Sequence, residues 1–208
     1  MTLIIVAQGK NFVVVGADSK GMLGDLRGPI VVGSNRYQKV TVVSEHVAIA
    51  VYGEAEFGEY LLHQFQTTGV SKGVDGSTEM MEKLSSFCRD KWKEWFKEVQ
   101  PQRYPAIGFL IAGLDKGPNG QYDAPMIYSV ESAYSFVPAF HKHGFTCRGI
   151  IPLATYILTE EYQEDMSVDD LCSLIESTIS RVARTDPRIG LPVRIALVTP
   201  VEGARMIR

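Results

Sequence analysis

A threonine directly follows Met1, and this position gives it chemistry that no other residue type in the chain offers as clearly. If Met1 is removed, Thr2 carries a hydroxyl nucleophile and a free α-amino group on the same residue. Such an amine can accept the proton of its own side chain. The start of the sequence therefore predicts a hydroxyl nucleophile that has its base built in.

The residues after Thr2 predict a hairpin that would position it. Residues 3–7 and 12–17 are apolar runs, and residues 8–11, Gln-Gly-Lys-Asn, have turn chemistry between them. A hairpin returns the chain to its starting point. We therefore expect Asp18, which follows the second run, to lie beside Thr2.

Length and composition indicate one globular domain over residues 1–208, because 208 residues with 45% hydrophobic and 22% charged content are enough for a substantial core. A net charge of -3 and scattered basic residues disfavour a nucleic-acid partner. Apolar runs are shorter than a bilayer span, and Met1 and Thr2 are not preceded by a signal peptide. These features predict a cytoplasmic protein without a membrane partner.

The cysteines and histidines give little support for a metal or cofactor. Cys88, Cys147 and Cys172 are widely spaced and lack a CxxC pairing, which predicts reduced, buried thiols. His141 and His143 would alternate along a strand, but no acidic or cysteine ligand is near them in sequence. We predict no metal and no cofactor.

Hydrophobic periodicity predicts strands and helices in alternating groups. Beyond the first hairpin, the expected strands are 39–43, 47–52, 106–114, 124–130, 135–140, 144–147, 193–199 and 204–207, and the expected helices are 54–68, 77–99, 152–162 and 167–184. The order ββββ-αα-ββββ-αα-ββ predicts an α+β fold, a four-layer α-β-β-α sandwich in which helix pairs flank two antiparallel sheets.

Several spacings along the chain form a recognisable pattern. Asp18-Ser19-Lys20 follows the opening hairpin, Lys39 begins a strand, Gly53 comes fourteen residues later, and Asp186 and Gly190 follow the last long helix. With Thr2 and the strand 109–115, this pattern resembles the proteasome-type β subunits of the N-terminal nucleophile hydrolases, including bacterial proteasome homologues. The resemblance covers nearly the whole chain and implies the N-terminal nucleophile hydrolase fold.

The resemblance implies a threonine-type endopeptidase in which Thr2 attacks a peptide carbonyl and its own amine takes the proton. Lys39 would lower the pKa of that amine, and Asp18 would hold Lys39 charged and oriented. The backbone N–H of Gly53 would bind the oxyanion. Asp186 is the fifth catalytic residue that the resemblance implies.

The same resemblance assigns the pocket for the residue before the scissile bond to Gly21, Tyr37, Thr41, Val51 and Ala55. The small, neutral Val51 favours an apolar substrate side chain. Two hydroxyls of active family members are replaced here: residues 149–151 read Gly-Ile-Ile where the family has Ser-Gly-Ser, and Ile189 stands where it has serine.

Three functions follow from these observations. The first is a threonine peptidase subunit in a self-compartmentalised, proteasome-like complex, which would act on peptides or unfolded proteins. Its expected partners are copies of itself or related subunits, and in addition an ATP-dependent unfoldase. The alternatives are a non-catalytic structural subunit of such an assembly and an N-terminal nucleophile amidohydrolase acting on a small amide.

Overall fold

The computed structural model describes residues 2–23, 31–98, 104–150 and 152–208. The described strands are β1 Leu3–Gln8, β2 Val13–Ala17, β3 Gly21–Leu23, β4 Val31–Ser34, β5 Val40–Ser44, β6 Val47–Gly53, β7 Ile107–Lys116, β8 Tyr122–Glu131, β9 Pro138–Phe140, β10 Phe145–Gly149, β11 Arg194–Thr199 and β12 Gly203–Met206. The helices are α1 Ala55–Thr67, α2 Ser77–Phe96, α3 Pro152–Glu161 and α4 Val168–Thr185.

Two antiparallel five-stranded sheets form the centre of the described fold. The first has the strand order β10-β1-β2-β11-β12, and the second has the order β5-β6-β7-β8-β9. The opening hairpin is confirmed, since Ile4 pairs with Ala17 and Gln8 pairs with Val13. This register brings the end of β2 next to the start of β1, as the turn chemistry of residues 8–11 predicts.

Three apolar clusters separate four layers. Leu3 and Ile5 face α3 and α4, whereas Ile4 and Val6 face the second sheet, because successive side chains of a strand point to opposite faces. A third cluster fills the space between the second sheet and α1 and α2. The predicted four-layer α-β-β-α sandwich is confirmed. β1 lies between two apolar layers, which explains why its sequence is continuously apolar rather than alternating.

The helices lie close to their predicted positions. α2 begins at Ser77 as expected, and its last described helical residue is Phe96, while Val99 of the predicted range is outside the described residues. Ser167 caps α4, because its Oγ accepts a hydrogen bond from the Asp170 N–H at 3.2 Å. This bond satisfies one of the free N–H groups of the first helical turn.

Two local features differ from the predictions. A two-stranded sheet of β3 and β4 precedes β5 and has no counterpart in the predicted elements. The predicted strand 135–140 is wrong at its start, because Ser135 and Phe136 have φ values of 53° and 58° and only Pro138–Phe140 is extended. Phe136 is buried in the core under α2, so packing of its ring outweighs the local preference for extended backbone.

The three cysteines lie in the interior of the fold. Cys88, Cys147 and Cys172 are all buried free thiols, as predicted. Burial raises the pKa of Cys147 to about 12, so this thiol stays protonated at neutral pH.

No described helix combines the length and the apolar character needed to cross a bilayer. Within the described ranges, His, Cys, Asp and Glu do not gather in threes around a potential metal position.

Candidate active site

Asp18 is the centre of the candidate site, because its carboxylate joins four parts of the chain. The residue is completely buried at the end of β2. Its Oδ1 accepts hydrogen bonds from Leu3 N at 2.9 Å and Lys39 Nζ at 2.5 Å. Its Oδ2 accepts from Lys20 N at 3.1 Å and Gly190 N at 3.2 Å. A buried carboxylate with this many donors is strongly held in one orientation.

Lys39 lies immediately before β5 and is only 3% exposed. Its carbonyl accepts the N–H of Val51 at 2.9 Å, so the backbone of β6 fixes the start of β5. Burial lowers the pKa of the Lys39 ammonium, and the Asp18 carboxylate opposes this shift by favouring the charged form. The sequence prediction that Asp18 and Lys39 form a pair agrees with these contacts.

Thr2 is fixed through the backbone on both of its sides. Leu3 N is bonded to Asp18, and the Thr2 carbonyl accepts the N–H of Ile150 at 3.1 Å. A Cβ on Gly149 would lie 1.6 Å from the Thr2 oxygen, and Gly149 has a φ of 99°. Only glycine fits here, because other residues would collide and would also be strained at this φ. Thr2 is 9% exposed, and Met1, whose removal the proposed chemistry requires, is outside the described residues.

Gly53 is the last residue of β6 and follows Val51, whose N–H bonds to the Lys39 carbonyl, by two positions. Its φ is 90°, and a Cβ there would lie 1.9 Å from the Ala106 carbonyl oxygen. The N–H of Val51 points to Lys39, whereas that of Glu54 points to Ala106. N–H groups alternate in direction along a strand. The N–H of Gly53 is therefore expected on the same side as that of Val51, toward Lys39.

The residues predicted to line the substrate pocket come from three segments of the chain: Gly21, Tyr37, Thr41, Val51 and Ala55. The ring of Tyr37 covers Gly21, where a Cβ would be 3.3 Å from Tyr37 Cδ2. Burial and the neighbouring carboxylate of Glu59 raise the pKa of Tyr37. Val51 is buried, and its Cγ1 would be 2.4 Å from a Cβ on Gly58. Thr41 is half-buried on β5, and Ala55 begins α1.

Asp186 makes a different set of contacts from the other predicted catalytic residues. It accepts hydrogen bonds from the N–H and Nε of Arg188, both at 2.9 Å, and from Arg188 Nη2 at 2.6 Å. These bonds lower the pKa of Asp186 to about 2. The loop after α4 reaches the site through the Gly190 N–H, while the Asp186 carboxylate is occupied by Arg188. A direct role of Asp186 beside Thr2 stays a prediction.

The serine positions of the resembling family carry no hydroxyl in this chain: Gly149 and Ile151 stand at the serines of Ser-Gly-Ser, and Ile189 stands at the later serine. Ile189 is 3% exposed in the cluster beneath α4, and Ile150 packs against the same cluster. Ile151 is outside the described residues. Ile150 and Ile189 thus place apolar side chains here, and the catalytic roles of Thr2, Asp18, Lys39 and Gly53 stay predictions.

The sequence patterns do not predict one group of interacting residues near the site. Arg148, Tyr52 and Glu131 form a hydrogen-bonded cluster between the two sheets. The signal in the sequence is a charged residue, Arg148, inside the strand Phe145–Gly149. That signal does not identify its partners, because they are 17 and 96 positions away.

Comparison with known proteins agrees with this arrangement. A protein described as proteasome subunit beta from Picrophilus torridus is 21% identical over 202 residues, and the alignment covers 93% of this chain and 83% of that protein. A family model described as "Proteasome subunit" matches residues 2–198. Because that match covers nearly the whole chain, including all four helices and the buried Asp18–Lys39 pair, the chain belongs to the proteasome subunit family.

Proposed function

We propose that the protein is a threonine-type endopeptidase subunit of a proteasome-like assembly and that Thr2 becomes its nucleophile once Met1 is removed. The observation that carries the proposal is the buried Asp18 carboxylate, which binds Lys39 Nζ at 2.5 Å and the N–H of Leu3, the residue after Thr2. The family's role in protein degradation supports a peptide or unfolded protein as substrate.

In the first half of the reaction, the Thr2 α-amine takes the proton from Oγ as Oγ forms a bond to the scissile carbonyl carbon. The oxyanion that develops accepts the N–H of Gly53. The new ammonium then gives its proton to the leaving amine as the C–N bond breaks, and an ester on Thr2 remains. In the second half, the amine takes a proton from water, the water oxygen attacks the ester carbonyl, and Thr2 Oγ leaves with the returned proton.

Lys39 and Asp18 tune the base in this scheme. A free α-amino group has a reference pKa of about 7.7 to 8.0. The positive charge of Lys39 disfavours protonation of a neighbouring amine and so raises its basic fraction at neutral pH. Asp18 keeps Lys39 in place through the 2.5 Å contact. This division of roles is supported by the shared contact of Lys39 Nζ and Leu3 N with Asp18 Oδ1.

Peptide hydrolysis by variants at Thr2 tests the proposal. Thr2→Ala should abolish cleavage of fluorogenic peptides, since it removes Oγ, and Thr2→Ser should retain measurable cleavage because a hydroxyl remains. Both variants are compared in the assembled protein, after the mature N-terminus is verified by mass spectrometry. Equal hydrolysis by wild type and Thr2→Ala would rule out Thr2 as the nucleophile.

The neutral, buried Val51 supports cleavage after apolar residues. A peptide panel with different residues before the scissile bond measures this preference. Fastest cleavage after arginine would overturn it and would direct attention to Glu59, which lies near the Tyr37 hydroxyl.

A non-catalytic subunit is the second candidate, and a specific observation favours it. Asp186 is paired with Arg188, and Gly149 and Ile189 stand where active members of the resembling family have serines. In that case Met1 would be retained and the Asp18–Lys39 pair would serve only the fold. A small-amide hydrolase is the third candidate, and turnover of small amides without peptide cleavage would favour it.

Assembly follows from the proposed family role. The expected partners are further copies of this chain or related proteasome subunits in a cytoplasmic complex, and in addition an ATP-dependent unfoldase that delivers substrate. Light scattering tests the first of these expectations, since a monomer at working concentrations would contradict it.

A further inference from the structure

One guanidinium connects the two strand ends that carry the candidate catalytic groups. Arg148 Nε donates to the Tyr52 hydroxyl at 3.2 Å, and Arg148 Cζ lies 5.9 Å from the centre of the Tyr52 ring. Tyr52 directly precedes Gly53, and Arg148 directly precedes Gly149, on which the Thr2 carbonyl packs. The Arg148–Tyr52 contact is therefore one residue away from Gly53 in β6 and one residue away from Gly149, which contacts Thr2, in β10.

These strand ends belong to different sheets. Arg148 is in β10, which pairs with β1, and the N–H of Ile150 just beyond it holds the Thr2 carbonyl at 3.1 Å. Tyr52 is in β6 of the second sheet, where its ring lies over Gly108, and a Cβ on Gly108 would be 2.3 Å from the ring. The Tyr52 ring cannot shift toward its own sheet, so its hydroxyl is a fixed point for the guanidinium.

The guanidinium has hydrogen-bond partners on both sides. On its own strand, Arg148 Nη1 donates to Thr146 Oγ1 at 3.1 Å and to the Cys147 carbonyl at 3.0 Å. Across the gap, Nη2 donates to Glu131 Oε1 at 3.0 Å and Ser129 Oγ at 3.2 Å. The side chains of Arg148 and Glu131 are 22% and 19% exposed, so solvent competes weakly for these charge-assisted bonds.

Glu131 is followed by Ser132, which holds the segment that packs against Gly53. Ser132 Oγ accepts the N–H of Ile107 at 3.1 Å and donates to the Pro105 carbonyl at 3.0 Å. Between these two residues lies Ala106, whose carbonyl accepts the N–H of Glu54 at 2.8 Å and touches Gly53. Residues 131 and 132 therefore bind Arg148 and also hold residues 105–107, which contact Gly53.

We propose that Arg148, together with Tyr52 and Glu131, is a positioning residue that sets the separation between Thr2 and the N–H of Gly53. This inference rests on the proposed peptidase function. An oxyanion donor is effective only within a few tenths of an ångström of its best distance, and a misplacement of about 1 Å can cost roughly 100-fold in rate. A bridge between the sheets at this end limits such movement.

Kinetics of Arg148→Gln and Tyr52→Phe test the proposal in the assembled protein. Arg148→Gln removes the positive charge and the planar guanidinium group, and Tyr52→Phe removes only the hydroxyl. Arg148→Gln should lower kcat about 10- to 100-fold and leave KM within about threefold, because oxyanion binding fails in the transition state and ground-state binding is kept. Tyr52→Phe should lower kcat less, and the double variant should lower it no further than Arg148→Gln.

Ser77→Ala is the matched control for simple loss of stability. Ser77 is buried at the start of α2, and its Oγ donates to Asp115 Oδ1 at 2.9 Å. Asp115 is near the end of β7 opposite to Ile107, the residue that pairs with Gly53. Removing the Ser77 hydroxyl should lower Tm by about 2 to 10 °C and leave kcat unchanged. If Arg148→Gln changes kcat no more than Ser77→Ala, the positioning role is refuted.

Amide hydrogen exchange tests the bridge independently of activity. The reporters are the N–H groups of Glu54 and Ile150, which donate to the Ala106 and Thr2 carbonyls in different sheets. Arg148→Gln should speed exchange of both together by about tenfold or more. Acceleration of Ile150 alone, or of neither, would overturn the bridge. A wild-type protein without peptide hydrolysis would contradict the proposed function, and the exchange result would still decide the bridge.

Discussion

Replacing Asp18 by asparagine should be among the most damaging single changes in the chain. Four donors converge on the carboxylate: the N–H groups of Leu3, Lys20 and Gly190 and the ammonium of Lys39. An asparagine offers one oxygen and one NH2 group, so in either orientation two donors face another donor. Asp18→Asn also leaves the charge of Lys39, which is 3% exposed, without its partner.

The expected cost follows from burial. Removing one member of a buried ion pair typically destabilises a protein by about 3 to 5 kcal/mol. For a domain of this size, that corresponds to a decrease in Tm of roughly 6 to 20 °C. Adding Lys39→Met removes the unpaired ammonium, so the double variant should be less destabilised than the sum of the two single variants. Urea unfolding at neutral pH, analysed with the m-value, measures all three free energies.

An exposed ion pair provides the control. Arg205 and Glu202 have side chains that are 48% and 56% exposed. Glu202→Gln should therefore change the free energy of unfolding by less than about 1 kcal/mol. If Asp18→Asn costs no more than this control, or if the Asp18 and Lys39 effects are simply additive, the buried pair does not stabilise the protein.

Two further predictions concern the edges of the site. Gly149→Ala should destabilise the protein and abolish peptide cleavage, because a Cβ would lie 1.6 Å from the Thr2 oxygen; unchanged thermal unfolding and cleavage would contradict this. Asp186→Asn should be less stable than wild type above about pH 4, and the difference should vanish as pH falls from about 4 to about 2. The pKa of folded Asp186 is lowered to about 2 by Arg188, so the unfolded chain takes up its proton first; a pH-independent difference in urea midpoints would show that this pair contributes nothing.

Much of the fold can be predicted because its signals are local. The turn chemistry of residues 8–11 fixes the opening hairpin, and the hairpin alone brings Asp18 to β1. Periodicity identifies the four helices within a few residues. In contrast, Phe136 enters the core through two residues with positive φ, and no local pattern predicts that packing decides the backbone there.

The candidate site is predicted less completely, because its contacts join distant segments. The resemblance implies a contact between Lys39 and Asp18, and the two side chains are 2.5 Å apart. The Gly190 N–H reaches Asp18 from 172 positions away, and no sequence pattern in a single chain encodes that distance. Asp186 has a partner two residues away in Arg188, and recognising this local pair would have indicated its main contact.

Intact-protein mass spectrometry, before and after exposure to a threonine-directed epoxyketone or β-lactone, is the most direct test of Thr2 as the nucleophile. We expect the natively expressed chain to begin at Thr2 and to gain one adduct, which is absent from Thr2→Ala. A chain that keeps Met1 and gains no adduct would contradict it, and the buried Asp18–Lys39 pair would then belong to a structural subunit.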